Sequence, residues 1–149
     1  MISYGRQKID EDDIKAVINI LKGDWLTQGP AIESFEKELS DYFKSNYCSV
    51  VSNGTAALHL TSLALGWGKD DQVVTTPITF LADANSIVYS GASPLFVDIK
   101  PDSYTIDVQI IYDKLKQDRE KRSKIKAIIA VDYAGHPCDW KSLRSIADE

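Results

Sequence analysis

Residues 52–57 have the residue types that can bind an anion at the start of a helix. Gly54 lets a bound group approach the backbone closely, and Thr55 adds a hydroxyl. The amides of Thr55 and Ala56 would lack partners within the helix and would meet the positive end of its dipole. The segment therefore predicts a phosphate-binding turn. The spacing leaves an alternative open, in which Ser52 or Asn53 simply caps the helix.

Two later turns carry side chains that suit an organic ligand. Phe80 closes the turn 75–80 and can stack on a flat ring, although ordinary core packing is the alternative. Asp132 ends an apolar run, where a carboxylate is costly unless it is hydrogen-bonded, so it is either functional or a turn residue. Tyr133 follows it. No group of residues has metal-ligand spacing, and residues 52–57 contain one glycine where a dinucleotide turn needs three.

Short apolar runs alternate with helix-length segments in the chain after residue 45. This alternation predicts an α/β fold with a mainly parallel sheet. Parallel strands direct their carboxyl ends to one edge, so we expect all of these turns to open there. The four predicted strands are Tyr47–Val51, Gln72–Thr75, Pro94–Val97 and Ile125–Val131.

Apolar residues at three- and four-residue steps predict the helices. One helix follows Asp10 and stops near Gly23, and a second follows Pro30; the residues between them form a loop. The segment 54–65 is apolar almost all round, which predicts a buried central helix. Another helix is expected to start at the end of the turn 75–80, and two more behind the caps Asp107 and Asp139.

Composition excludes several classes of function. The 149 residues carry a net charge of −5, which gives no field to attract a nucleic-acid backbone. The mixed charges of Asp113–Lys126 indicate a solvated helix end and loop. Neither a leader nor an apolar run long enough for a membrane is visible, so we expect a cytoplasmic protein without membrane contact. Cys48 and Cys138 are expected to be reduced, buried thiols.

Four ordered motifs of the chain resemble the amino-terminal part of a known enzyme family. The motifs are DWLTQGP at 24–30, SNGTAAL at 52–58, TTPITFLADAN at 75–85 and VDYAG at 131–135. They resemble the DegT/StrS-type sugar-nucleotide aminotransferases, which use pyridoxal phosphate on the type I aminotransferase fold. The resemblance implies a three-layer α/β domain with a mostly parallel sheet. The wording of residues 75–80 is most similar to members of pseudaminic acid synthesis.

The resemblance implies a cofactor, substrates and site residues. Gly54 and the amides of Thr55 and Ala56 would hold the phosphate of pyridoxal phosphate, and Phe80 would stack on its ring. The same resemblance puts Asp132 near the cofactor pocket and Tyr133 and Thr27 near the substrate. An amino group would pass from glutamate to a UDP-4-keto-6-deoxy-N-acetylhexosamine. The family is dimeric, which implies a homodimer.

None of the lysines here stands in the family's Schiff-base lysine motif, so we expect this chain to be inactive alone. It is interpreted as the amino-terminal portion of the cofactor-binding large domain, with helices and a loop over 1–45 and strand-helix units over 46–149. Two alternatives stay open. One is a sugar 3-dehydratase of the same fold, and the other is a non-catalytic phosphate-binding or assembly module.

Overall fold

The computed structural model describes residues 5–117 and 124–149 of the chain. These residues form two compact units, which divide between Val50 and Val51. Within the described ranges, no helix is both long enough and apolar enough to span a bilayer.

The first unit contains two helices that begin at the predicted residues. Helix α1 is Glu11–Leu21, and its N-cap Asp10 forms a reciprocal capping box with Asp13. Helix α2 is Pro30–Phe43, with proline at its first turn and Lys44 in a left-handed conformation as its C-cap. Both predictions are confirmed. None of residues 5–50 is buried, so the apolar stripes of both helices remain exposed within this unit.

A tight loop over residues 22–29 joins α1 to α2. Gly29 has a φ of +90°, and a Cβ placed there would lie 2.9 Å from the Cβ of Trp25. Gln28, at φ +58°, is also left-handed. Glycine is therefore required at position 29 both by backbone conformation and by the close approach of Trp25.

The second unit is an α/β structure around three parallel strands. Strand β1 lies in the middle of the sheet, and the order is β2-β1-β3. Pro94 lies on the edge strand β2, where its missing N–H costs no internal ladder bond. The elements of this unit are α3 Gly54–Ala64, β1 Gln72–Thr75, α4 Leu81–Tyr89, β2 Ser93–Phe96, α5 Val108–Gln117, β3 Ile125–Ile128, a 3₁₀ turn Tyr133–Gly135 and α6 Trp140–Asp148.

Helices cover both faces of this sheet, as the α/β prediction requires. Val74 packs with Ile111 of α5 and Leu143 of α6 in one core. The adjacent Val73 packs with Ile87 of α4 in the other core. Because neighbouring residues of a strand point to opposite faces, β1 supplies both cores. The predicted three-layer arrangement with a parallel sheet is confirmed.

The helices that follow the caps Asp107 and Asp139 begin as predicted. The Asp107 carboxylate accepts a hydrogen bond from the Gln109 N–H at 2.9 Å. Asp139 accepts from the backbone and the hydroxyl of Ser142 at 3.0 and 2.7 Å. These two interactions lower the pKa of the Asp139 carboxyl. Part of the charged stretch 113–126, residues 118–123, lies outside the described residues.

Three predictions about this fold are wrong in part. Residues 47–51 do not form a strand, since no backbone within the described ranges pairs with them; the Val50 N–H donates instead to the Glu36 carboxylate at 2.9 Å. Strand β3 ends at Ile128 and not at residue 131. Helix α3 is not buried, because its neighbour α4 covers one side and Leu60 and Leu63 are half exposed.

Candidate functional site

The turns after the three strands open at one edge of the sheet. All strand pairings are parallel, so residues 76–80, 97–100 and 129–136 follow strands that end on the same side. The prediction of a shared edge is confirmed for these three turns. Residues 51–53 lead into the first turn of α3, and no strand lies directly before them.

Asn53 caps helix α3 in the way that the alternative interpretation expected. Its side-chain oxygen accepts the N–H of Ala56 at 2.8 Å, and its carbonyl accepts the N–H of Ala57 at 3.1 Å. Within residues 5–117 and 124–149, the amides of Gly54 and Thr55 have no hydrogen-bond acceptor. Of the two amides that the sequence assigns to a phosphate, Thr55 therefore offers an open donor and Ala56 a donor already engaged.

Gly54 has open space around its α-carbon. A Cβ built on this residue would meet nothing within 4 Å, and its φ lies outside the left-handed range. Neither backbone conformation nor packing against the described residues therefore requires glycine at this position. The described residues therefore leave room beside the Gly54 α-carbon at the start of α3.

Phe80 does not pack in the core. It is the N-cap of α4, its backbone is extended, and its side chain is 75% exposed. The core-packing alternative is therefore wrong for this residue, and the ring remains accessible. Thr75 at the end of β1 and Thr76 at the start of the preceding turn are buried, and the Oγ1 of Thr75 has no partner within the described part of the chain.

Asp132 organises the loop that follows β3. One of its oxygens accepts the N–H of Cys138 at 2.8 Å and the indole N–H of Trp140 at 3.2 Å. The Cys138 thiol donates to the Val131 carbonyl at 3.1 Å. Burial first, and then the hydrogen bond and charge of Asp132, raise the pKa of that thiol. Asp132 thus has the structural contacts of a turn residue and is itself exposed.

Tyr133 lies beside Tyr104, which comes from the segment between β2 and α5. The ring centroids are 5.9 Å apart, with a tilt of 33° between the ring planes. Tyr104 has a φ of +59°, which is uncommon for a bulky residue. Both rings are partly exposed, so this pair presents aromatic surface to solvent.

Thr27 lies in the loop of the first unit and is exposed. Its neighbours Gln28 and Gly29 are both left-handed, and Trp25 packs against Gly29. The loop that carries Thr27 is therefore shaped by specific backbone conformations and not by burial.

Comparison with known proteins decides the family. Residues 7–149 match the model of the DegT/DnrJ/EryC1/StrS aminotransferase family. The chain belongs to this family.

Relatives of this family member are similar along nearly its whole length. The MJ1066 protein of Methanocaldococcus jannaschii is 41% identical over 142 residues, which cover 95% of this chain and 35% of MJ1066. The putative sugar aminotransferase Spr1654 of Streptococcus pneumoniae, in its PMP form, superposes with a TM-score of 0.86 at 30% identity, covering 97% of this chain and 35% of Spr1654. Helicobacter pylori PseC, an aminotransferase of pseudaminic acid biosynthesis, superposes with a TM-score of 0.83 at 31% identity. That match covers 98% of this chain and 38% of PseC.

The chain therefore spans little more than a third of the length of these relatives. The solved sugar aminotransferases confirm that it has part of their α/β domain.

Sequence reasoning missed two contacts in this DegT/DnrJ/EryC1/StrS chain. Nothing in the sequence indicates that Tyr104 would adopt a left-handed conformation and meet Tyr133. The second contact is the hydrogen bond from the Thr79 hydroxyl to the Asp83 carboxylate. Its signal was present, because residues four apart at a helix start are neighbours on one face.

Proposed function

We propose that the whole protein is a pyridoxal-phosphate-dependent sugar aminotransferase, and that this chain is the amino-terminal portion of its cofactor-binding large domain. The observation that carries the proposal is the open first turn of α3 in a chain of this family. Gly54 leaves room there, and the amides of Gly54 and Thr55 have no acceptor among the described residues. These groups fit a phosphate, since orphan amides at a helix start favour an anion.

The other residues at the proposed site have separate duties. Ala56 would add a third amide to the phosphate after releasing the Asn53 side chain. Phe80 would stack on the pyridine ring, which its exposure supports. Asp132 would shape the loop near the cofactor, and Tyr133 and Thr27 would contact the sugar substrate. When bound, the cofactor supplies an electron sink for the transfer of an amino group.

The proposed reaction moves an amino group from glutamate to a UDP-4-keto-6-deoxy-N-acetylhexosamine. The resemblance of residues 75–80 and the similarity to PseC support this substrate. We also propose that the whole protein is a cytoplasmic homodimer, as the family resemblance implies. A product assay on the whole protein tests the reaction. An amino sugar with 2-oxoglutarate supports it, whereas a 3-deoxy sugar without new nitrogen would identify the dehydratase alternative.

Ligand binding to the 149-residue chain tests the phosphate site directly. Gly54→Asp puts a negative charge and a side chain in the space that the phosphate would take. We expect it to weaken binding of pyridoxal phosphate and of inorganic phosphate by at least about tenfold. Gly5→Asp is the control, because Gly5 is also exposed with nothing within 4 Å of its Cβ.

If the Gly54→Asp and wild-type chains bind phosphate with equal affinity, the proposed phosphate site at the start of α3 is wrong. Phosphate binding by the chain, combined with a whole protein that neither aminates nor dehydrates a keto sugar, would favour the binding-module alternative.

A further inference from the structure

Asp83 is a buried carboxylate in the first turn of α4. It is 9% exposed and shares the buried side of the helix with Ser86 and Ile87. A buried carboxylate is costly unless a donor satisfies it, so its partner is informative. The partner is the hydroxyl of Thr79, which donates to Asp83 Oδ2.

Asp83 makes two hydrogen bonds to the segment around Phe80, one through its side chain and one through its backbone. Its carboxylate binds Thr79, the residue before Phe80. Its own N–H donates to the Phe80 carbonyl at 3.1 Å. The turn is tied further back by Thr76, whose hydroxyl oxygen accepts the Ile78 N–H at 3.3 Å. Buried side chains of Thr76 and Asp83 therefore restrain the backbone before Phe80, and Asp83 does so through Thr79.

The Phe80 ring itself gains little order from packing, because most of it is exposed. A ligand that stacks on a mobile ring must also order it, and ordering one side chain weakens binding by several-fold. A restrained backbone at Phe80 removes the part of this loss that comes from backbone motion and limits the positions that the ring can sample.

We propose that Asp83 is a positioning residue, which orders Phe80 through Thr79 so that the ring can stack on a flat aromatic ligand bound by its phosphate at α3. This inference rests on the proposed function for the identity of the ligand. The ordering of Phe80 by Asp83 is a property of the free chain and can be measured without a ligand.

The first experiment measures the mobility of the Phe80 ring and backbone by NMR relaxation in the free 149-residue chain. Asp83→Ala removes the acceptor, and we expect greater mobility at Phe80. Asp83→Asn keeps an oxygen acceptor for Thr79 and should restore the wild-type value. Asp113→Ala is the matched control, because Asp113 accepts a side-chain hydrogen bond from Gln109 four residues earlier on α5. If Asp83→Ala does not fold, Thr79→Ala is used in its place, because it removes the donor of the same hydrogen bond.

The second experiment compares the affinities for pyridoxal phosphate and inorganic phosphate. Asp83→Ala should reduce the preference for pyridoxal phosphate by about fivefold and leave phosphate affinity unchanged. In a chain that also carries Phe80→Ala, the same change should have no further effect on this preference. A loss of overall stability alone would weaken the binding of both ligands equally, and this effect would not depend on Phe80.

The outcomes separate the two proposals. Unchanged Phe80 mobility in Asp83→Ala would overturn the positioning role of Asp83 and leave the proposed function standing. So would a preference for pyridoxal phosphate that Phe80→Ala lowers and Asp83→Ala does not. A wild-type chain that binds neither ligand would overturn the proposed phosphate site and, with it, the ligand named in this inference.

Discussion

The two units of the chain contain equally well specified helices but very different interiors. In residues 5–50, α1 has a complete capping box and α2 begins at Pro30, yet no side chain is buried. In residues 51–149, three of the four residues of β1 are buried and helices cover both faces of the sheet. Local signals therefore specify where a helix begins, whereas burial against a sheet supplies tertiary stability.

The largest effect that tests this difference is a cavity in the second unit. Ile111 is 1% exposed in the core of α5 and α6, whereas Ile18 on α1 is 41% exposed. We expect Ile111→Ala to lower the free energy of unfolding by about 2–5 kcal/mol. Ile18→Ala should cost about 1 kcal/mol or less, since little surface is buried there. Urea denaturation followed by circular dichroism measures both; equal losses would contradict the comparison.

A smaller effect is expected from the helix cap of the first unit. Asp10→Ala removes the acceptor for the N–H groups of Asp12 and Asp13. Replacement of such a cap costs about 1 kcal/mol. Hydrogen exchange should show reduced protection in α1, and Glu11→Ala, which leaves the cap in place, serves as the control. Unchanged exchange in Asp10→Ala would mean that contacts other than the cap order this helix.

Much of this difference could be foreseen from the sequence, but only where the signal is local. The predicted caps Asp107 and Asp139 marked helix starts correctly, because a cap bonds to amides two or three residues away. The strand predicted at 47–51 failed because a strand needs a neighbour, and the sequence does not reveal whether one is present. The burial predicted for α3 failed for the same reason.

The candidate site divides in the same way. The sequence indicated both that Asn53 could cap α3 and that the amides could hold a phosphate, and the structure shows the cap at Ala56 with Thr55 left open. The exposure of Phe80 depends on which elements surround it, so no local pattern could predict it. The assignments of Thr27, Tyr133 and the phosphate-binding amides stay predictions.

The smallest effect concerns the two cysteines, one in each unit. Cys138 is buried and Cys48 is half-buried, so only part of the prediction of two buried thiols is confirmed. Burial and Asp132 raise the pKa of Cys138 above its ordinary value of 9.0. At about pH 8 we expect iodoacetamide to modify Cys48 faster than Cys138, since the thiolate is the reactive form and access to Cys138 is limited.

The same shift has a defined effect on stability. As the pH rises above 9.0, the unfolded chain releases the Cys138 proton before the folded chain does. The free energy of unfolding therefore falls with rising pH until the raised pKa of the folded state is passed. Cys138→Ser should remove this part of the alkaline stability loss. In the labelling experiment, mass spectrometry measures the rate at which iodoacetamide modifies each cysteine. If Cys138 is labelled faster than Cys48 in the folded chain, the prediction that burial protects Cys138 is wrong.

The adjacent valines of β1 make its alignment intolerant of error. Val73 faces the α4 side, and Val74 faces the α5 and α6 side. A slip of one residue would exchange the two side chains and leave each in the wrong layer. Neither helical layer can therefore settle without constraining the other. We expect residues 51–149 to melt in one cooperative step and not layer by layer.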